Sequence, residues 1–222
     1  MKYFSYFLFL FLLITQSGFA QDNDPKIVDP NVNQTIKDEK TQSNILIGLC
    51  NRDGMQTEVF NSFFEKEYSN YSIDAKTLDL LKKNPKLYNI TVYVVMGSWC
   101  EDSQQQIPRF YKILDQIAFD ENDMTVFCVD RNKKTPKNET DQYNITLVPT
   151  IIFYYHGNEI GRIIEKPKVS LEKDFLSFLE SIDKKTEPIK KTTTNTKTGT
   201  TIQNKTTTPK STTNKTGTGI KK

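Results

Sequence analysis

Residues 92–108 read VYVVMGSWCEDSQQQIP. The residues at 91–95, TVYVV, are β-branched or aromatic with no breaker among them, which argues a buried strand. Gly97 and Ser98 punctuate that strand, and a helical pattern begins just after Cys100. Ile107, Phe110, Tyr111, Leu114, Ile117 and Ala118 then recur at the spacing of one apolar helix face. Cys100 therefore falls at a strand-to-helix junction. Unpaired backbone N–H groups and the helix dipole favour a thiolate there over a thiol. Glu101 and Asp102 oppose that effect, because nearby negative charge disfavours the anion.

A lone cysteine is most often a small buried hydrophobe. Three neighbours of Cys100 argue otherwise. Trp99 precedes it, Ser103 follows three residues on, and Pro108 lies within the expected helix, where a proline costs ~3 kcal/mol and introduces a kink. Further along, Val148-Pro149-Thr150 leads into a strand at 151–155. This set resembles the thioredoxin superfamily, in which a W-C-x-x-C motif opens a proline-kinked helix and a cis-proline before a later strand packs against the active-site sulfur. The resemblance spans roughly residues 91–182, within the usual size of a domain. It implies a thioredoxin-like three-layer α/β/α sandwich and a cis peptide bond at Val148–Pro149. It also implies a site made of Cys100 with Ser103, flanked by Trp99, Val148, Pro149 and Thr150.

The sequence departs from the family pattern at Ser103, where the second cysteine would stand. A thiolate attacks a disulfide to form a mixed disulfide, which a second thiol then releases. Ser103 cannot perform that release, although its hydroxyl is able to donate a hydrogen bond to a thiolate. Two other positions differ in the same sense. A buried acid and a lysine on adjacent strands, which dithiol reductants of the family resemble one another in having, are replaced by Val94 and Val126. The glycine often found before the last helix is replaced within Ile164-Glu165-Lys166. Only Cys128 and Cys50 remain as partner thiols. Cys128, between Phe127 and Val129 in a strand pattern, reads as an inert buried thiol. With three cysteines, at least one is unpaired in a monomer.

The remainder of the chain frames this domain. Of 222 residues, 36% are hydrophobic and 26% charged, enough for one good core. The net charge of +3 is unevenly placed. Residues 186–222 hold eight lysines against one glutamate, a tail of +7 that leaves −4 for the rest. An acidic body of this kind does not present a basic face to nucleic acid. Residues 1–20 read as a secretory signal peptide: Lys2, an apolar run, then Gly18 and Ala20 as small residues before a cut. The run of about 12 apolar residues is short for the ~20 that span a bilayer, so no stable membrane span is expected in the mature form. Export to the periplasm or the extracellular space is the corresponding expectation.

Residues 21–43 read as a disordered leader, and 44–90 as a helical N-terminal extension whose first apolar stretch, NILIGLC, is a short strand or a packed segment. The thioredoxin-like domain is expected over 91–185. Within it the spacing predicts a strand at 124–129 and a short helix from Thr135-Pro136 to about Tyr143. A hairpin turn follows at 156–158, and a last helix is capped by Ser170. The tail at 186–222, rich in Thr, Lys, Asn and Gly, is expected to be disordered. The single His156 sits in a turn pattern, so Cys–His chemistry and a His-based metal site lack parts, and no phosphate-binding glycine loop is present. No cofactor and no metal are expected.

The function that follows is monothiol thiol–disulfide exchange on protein thiols or disulfides through Cys100, isomerase-like in kind. The alternative is a redox-silent binding module built on the same surface. Deletion of residues 186–222 is expected to leave the melting temperature nearly unchanged. A drop beyond about 2–4 °C, which corresponds to ~1 kcal/mol for a domain of this size, would mean that the tail docks on the body.

Overall fold

The computed structural model describes residues 29–186. The expected signal peptide, the start of the expected leader and the tail beyond Thr186 lie outside them. Strand β3 (Ile90–Met96) is the spine of the fold. Its residues alternate between two faces of a six-stranded sheet, as a strand's pleat requires. Val92, Val94 and Met96 enter one core, while Tyr93 and Val95 enter another.

Two strands come before the helices. β1 (Gln34–Lys37) and β2 (Asn44–Cys50) form an antiparallel hairpin. The short α1 (Arg52–Met55), α2 (Asn61–Asn70) and α3 (Ala75–Lys82) follow, and a 3-10 turn over Pro85–Asn89 leads into β3. α4 (Glu101–Gln116) crosses to β4 (Met124–Cys128), which lies parallel to β3 as a strand–helix–strand crossover requires. β5 (Thr150–Tyr155) pairs antiparallel with β3 on its other side, and β6 (Asn158–Ile164) pairs with β5. α5 (Leu171–Thr186) closes the described chain. The sheet order is β1-β2-β4-β3-β5-β6. Its β3-α4-β4 and β5-β6-α5 halves define a thioredoxin-like α/β fold.

The main core lies between the sheet and the helices. α2 packs on α4, and α3 on α5. Phe110, Tyr111 and Leu114 of α4 meet Phe153 of β5 and Phe175 and Leu179 of α5. The Phe153 and Phe175 rings lie 4.5 Å apart. Gly161 of β6 admits the Phe178 ring so closely that an added Cβ would fall 2.3 Å from it. The hairpin loop between β5 and β6 holds His156 and Gly157, both at positive φ, as a tight two-residue connection favours.

Four details differ from the sequence reading. The leader expected to be disordered over 21–43 contains β1. Its side chains are exposed, so it has no apolar period to betray it, and backbone pairing with β2 holds it in place. The extension over 44–90 opens with β2, the short strand its first apolar stretch allowed, which lies second from the β1 edge of the same sheet and pairs with β4, so the extension is helical only after it. The helix expected from Thr135 to Tyr143 is a run of turns with one 3-10 turn at Asp141–Tyr143. Asn138 and Asn144 adopt left-handed φ, which breaks helical progression, and the Thr135 hydroxyl accepts from the Glu139 N–H locally instead. This segment packs Tyr143, Ile145 and Val148 on Tyr93, Val95 and Phe127, so loops rather than an α-helix cover the second face of the sheet there. Finally, Ala118 is not on the helix face. α4 ends at Gln116, and Ala118 turns left-handed so that the Phe119 N–H donates back to the Leu114 carbonyl, a Schellman-type ending.

Among the described residues two buried hydroxyls, those of Tyr111 and Thr140, lack a hydrogen-bond partner. The Tyr111 hydroxyl lies in the core with no hydrogen-bond partner among the described residues, while its ring packs on Phe64 and beneath the Arg52 guanidinium. An orphaned buried hydroxyl costs free energy that a phenyl ring does not. Tyr111→Phe is expected to raise stability by about 1 kcal/mol, read as a melting temperature higher by roughly 2–4 °C in a thermal scan. A lower melting temperature would show that the hydroxyl is satisfied.

Candidate functional site

The candidate site lies where β3 runs into α4. Beyond Met96 the chain passes Gly97, Ser98 and Trp99 and reaches Cys100, which takes an extended conformation and serves as the N-cap of α4. The turn is bonded on all sides. The Cys100 N–H donates to the Gly97 carbonyl, and the Gln104 side chain donates to the Ser98 carbonyl at 2.8 Å. The Ser98 hydroxyl, buried, accepts from the Leu46 N–H of β2 at 2.9 Å. Gly97 has no side chain because the Trp99 ring folds back over it; a Cβ there would lie 2.6 Å from the indole.

Cys100 is half-buried, and its thiol donates to the Val148 carbonyl at 3.1 Å. The Val148–Pro149 peptide bond is cis. Val148, Pro149 and Thr150 are all buried. The Pro149 carbonyl accepts from the Glu165 N–H at 2.7 Å, and the Thr150 hydroxyl donates to the Leu147 carbonyl at 2.8 Å. The structure thus brings Trp99, Cys100, Val148 and Pro149 together, with Thr150 one residue further along and bonded within its own turn.

Ser103 lies one turn into α4. It is fully buried, and its hydroxyl accepts from the Gly97 N–H at 3.2 Å, on the core side of α4. Among the described residues the hydrogen bond of the Cys100 sulfur goes to Val148 rather than to Ser103. A side chain one turn into the helix, packed against the end of β3, closes the turn that presents Cys100. Val94 and Val126, in the places of the family's ionisable pair, are buried apolar neighbours in register on β3 and β4.

The other two thiols lie behind the sheet. Cys50 and Cys128 are buried in the helix-covered core, whereas Cys100 packs with Val95, Val129 and Val148 at the opposite face. Burial pushes the Cys128 thiol up, and the adjacent Cys50 thiol adds to the shift. Cys128 is therefore a buried thiol separated from Cys100 by the sheet itself. His156 is exposed in its hairpin. Among the described residues no group of three His, Cys, Asp or Glu side chains is placed to hold a metal ion, and no helix is long and apolar enough to cross a membrane.

Two residues that the sequence did not single out join the site. Arg131, just after β4, lays its guanidinium over the Trp99 ring at 4.7 Å, and the Trp99 indole donates to the Val129 carbonyl at 2.9 Å. Asp38, at the end of β1, accepts two hydrogen bonds from Arg131, at 2.7 and 2.8 Å. Asp38 is 1% exposed. These residues stand 93 positions apart, and nothing in the local sequence of either signals the pairing. On the opposite flank the Lys166 ammonium lies 3.1 Å from the Asp102 carboxylate.

No protein-family profile matches the chain, and no curated protein matches it. Among solved structures it is similar to a protein of unknown function from Pseudomonas aeruginosa, at 15% identity over 56% of this chain and 81% of that one, with a TM-score of 0.38. It is also similar to Trxlp from Edwardsiella tarda, at 24% identity over 49% of this chain and 94% of that one, TM-score 0.31. Oxidised thioredoxin O2 from Arabidopsis thaliana shares 19% identity over 50% and 87% of the two chains, TM-score 0.29. The thioredoxin-like fold rests on the strand order of the sheet and the placement of its helices.

The Arg131 guanidinium, with help from Thr41, holds the Asp38 carboxyl well below the usual carboxylate range. A carboxyl depressed in the folded state stabilises the fold above its unfolded value, near about 3.9, and loses that contribution as pH falls through the lower folded value. Asp38→Asn is therefore expected to lower the melting temperature at neutral pH. The gap from the parent should narrow as pH falls below about 4. A gap that stays constant down to acid pH would show that the carboxylate charge contributes nothing.

Proposed function

We propose that the chain is an exported thioredoxin-like protein, periplasmic or extracellular once its signal peptide is cleaved, and that Cys100 carries out monothiol thiol–disulfide exchange on protein substrates. The single observation that supports this most is the position of the Cys100 sulfur. It is half-exposed at the start of a sixteen-residue helix and rests on the Val148 carbonyl beside the cis Pro149. An attacking sulfur needs access, and the backbone amides at a helix start favour its anion.

The exchange balances as follows. The Cys100 thiol loses its proton to solvent, and the thiolate attacks one sulfur of a substrate disulfide. A Cys100–substrate disulfide forms, the substrate S–S bond breaks, and the other substrate sulfur leaves as a thiolate. A second thiol of the substrate then attacks the mixed disulfide. It regenerates the Cys100 thiolate and leaves a rearranged substrate disulfide, with no net oxidation. Ser103 offers no thiol to compete for that step, and Cys128 lies behind the sheet. Both features favour isomerase-like exchange over net reduction.

A binding module without redox chemistry is the second reading. It is favoured by the bond in which the Cys100 thiol already donates to Val148, a contact that a protonated sulfur makes and a thiolate does not. Incubation with a disulfide-bearing peptide, followed by mass spectrometry, separates the two. The exchange reading expects an adduct on Cys100, lost in Cys100→Ala and retained in Cys128→Ala; no adduct at all leaves the binding module. Ser103→Cys is expected to add reductase turnover with dithiothreitol that the parent lacks, because a thiol one turn along the helix releases the mixed disulfide. The gain should stay partial, since Val94 provides no buried base. Parental turnover equal to that of the variant would overturn the monothiol mechanism.

A further inference from the structure

We propose that Arg131, anchored by Asp38 of the β1–β2 hairpin, is a positioning residue for Cys100: it clamps Trp99 beside the sulfur and places a cation where the thiolate forms. The inference rests on the reading of Cys100 as a nucleophile and extends it to residues outside the strand–helix motif.

The geometry carries it. Asp38 is almost wholly buried, and burying a carboxylate is unfavourable unless it is paired and hydrogen-bonded. Its partners are the Arg131 Nε and Nη2 groups together with the Thr41 N–H and hydroxyl. A two-point contact of this kind fixes the plane of a guanidinium as a single bond does not. That plane lies on the Trp99 ring at 4.7 Å, within cation–π range. Trp99 is thereby held from three directions: by Arg131 above, by the Val129 carbonyl at its indole nitrogen, and by the close approach to Gly97. Cys100 is the next residue in the chain and belongs to the same cluster as Trp99 and Val129.

Among the described residues, Glu101 and Asp102 follow Cys100 on α4, Lys166 from the segment after β6 pairs with Asp102, and Arg131 from the loop after β4 pairs with Asp38. Both cations are paired, but Lys166 is 64% exposed at Asp102, whereas the buried Asp38 carboxylate holds Arg131 in a fixed plane against Trp99. The β1–β2 hairpin thus serves two purposes. It extends the sheet, and through Asp38 it orients a side chain at the site.

The test uses the full chain and compares Arg131→Met, Arg131→Lys and Asp38→Asn with the parent. Alkylation of Cys100 by iodoacetamide, counted by mass spectrometry, is followed at neutral pH and near pH 10, above the usual thiol range of about 8.5. Trp99 is the chain's single tryptophan, so quenching of its fluorescence by acrylamide reports the clamp directly. Arg131→Met is expected to slow alkylation at neutral pH by about threefold to tenfold while leaving the rate near pH 10 unchanged, and to expose Trp99 to the quencher. Arg131→Lys should keep most of the neutral-pH rate yet still expose Trp99, because an ammonium does not make the two-point contact. Asp38→Asn should also expose Trp99.

An Arg131→Met protein with the parent's ratio of neutral to alkaline rates overturns the proposal, as does an Arg131→Lys protein whose Trp99 stays shielded. Should Arg131→Met fail to fold, Arg131→Lys decides through the quenching measurement alone. Failure of the parent to form an adduct with a disulfide peptide would instead sink the exchange reading. Alkylation does not depend on disulfide chemistry, so the two failures are distinguishable.

Discussion

β3 is buried on both faces, and this constraint determines most of the rest. A strand with apolar side chains above and below needs two cores, and the chain supplies them from different materials. Helices α2 to α5 cover the face that holds Val92, Val94 and Met96, and a looped segment with a 3-10 turn covers Tyr93 and Val95. Both backbone edges of β3 are paired as well, with β4 parallel on one side and β5 antiparallel on the other. The strand is therefore the most fixed element in the chain. Cys100, four residues past its end, inherits a position defined by the sheet rather than by a loose loop.

The same constraint explains how the site is assembled from distant parts. The turn at Gly97 to Cys100 emerges between the ends of β4 and β5. Val129 after β4 meets the Trp99 indole there, and Val148 before β5 meets the Cys100 sulfur. Each contact uses a backbone carbonyl, so substitutions at Val129 or Val148 that preserve the backbone need not abolish it. Arg131 and Asp38 are of a different kind. Their side chains do the bonding, and replacing either one removes the contact.

What was legible in the sequence follows from period and spacing. The apolar run before Gly97 and the helical recurrence after Cys100 fixed β3 and α4 in outline, and the triplet at Val148 lay where it meets the sulfur. What was not legible lacked a local signature. β1 has no buried face, and its membership of the sheet is a matter of backbone pairing. The break of the expected helix at Asn138 and the left-handed Ala118 depend on how those segments must meet the sheet. The contact of the Ser103 oxygen with the Gly97 N–H likewise depends on how α4 meets the end of β3. The Asp38–Arg131 pair joins positions on either side of most of the fold and leaves no pattern in a single sequence.

The placement of the three cysteines has a consequence for how the chain matures in an oxidising setting. In an unfolded chain all three thiols are exposed and equivalent, and any two are free to join. Pairing of β2 with β4 withdraws Cys50 and Cys128 together into the helix-covered core. The sheet then stands as a partition, with two sheltered thiols on one side and a single accessible one on the other. Folding thus sorts chemically identical groups into separate compartments. The integrity of β2, an element outside the strand–helix turn at Cys100, becomes what keeps the one accessible sulfur from scrambling with the other two.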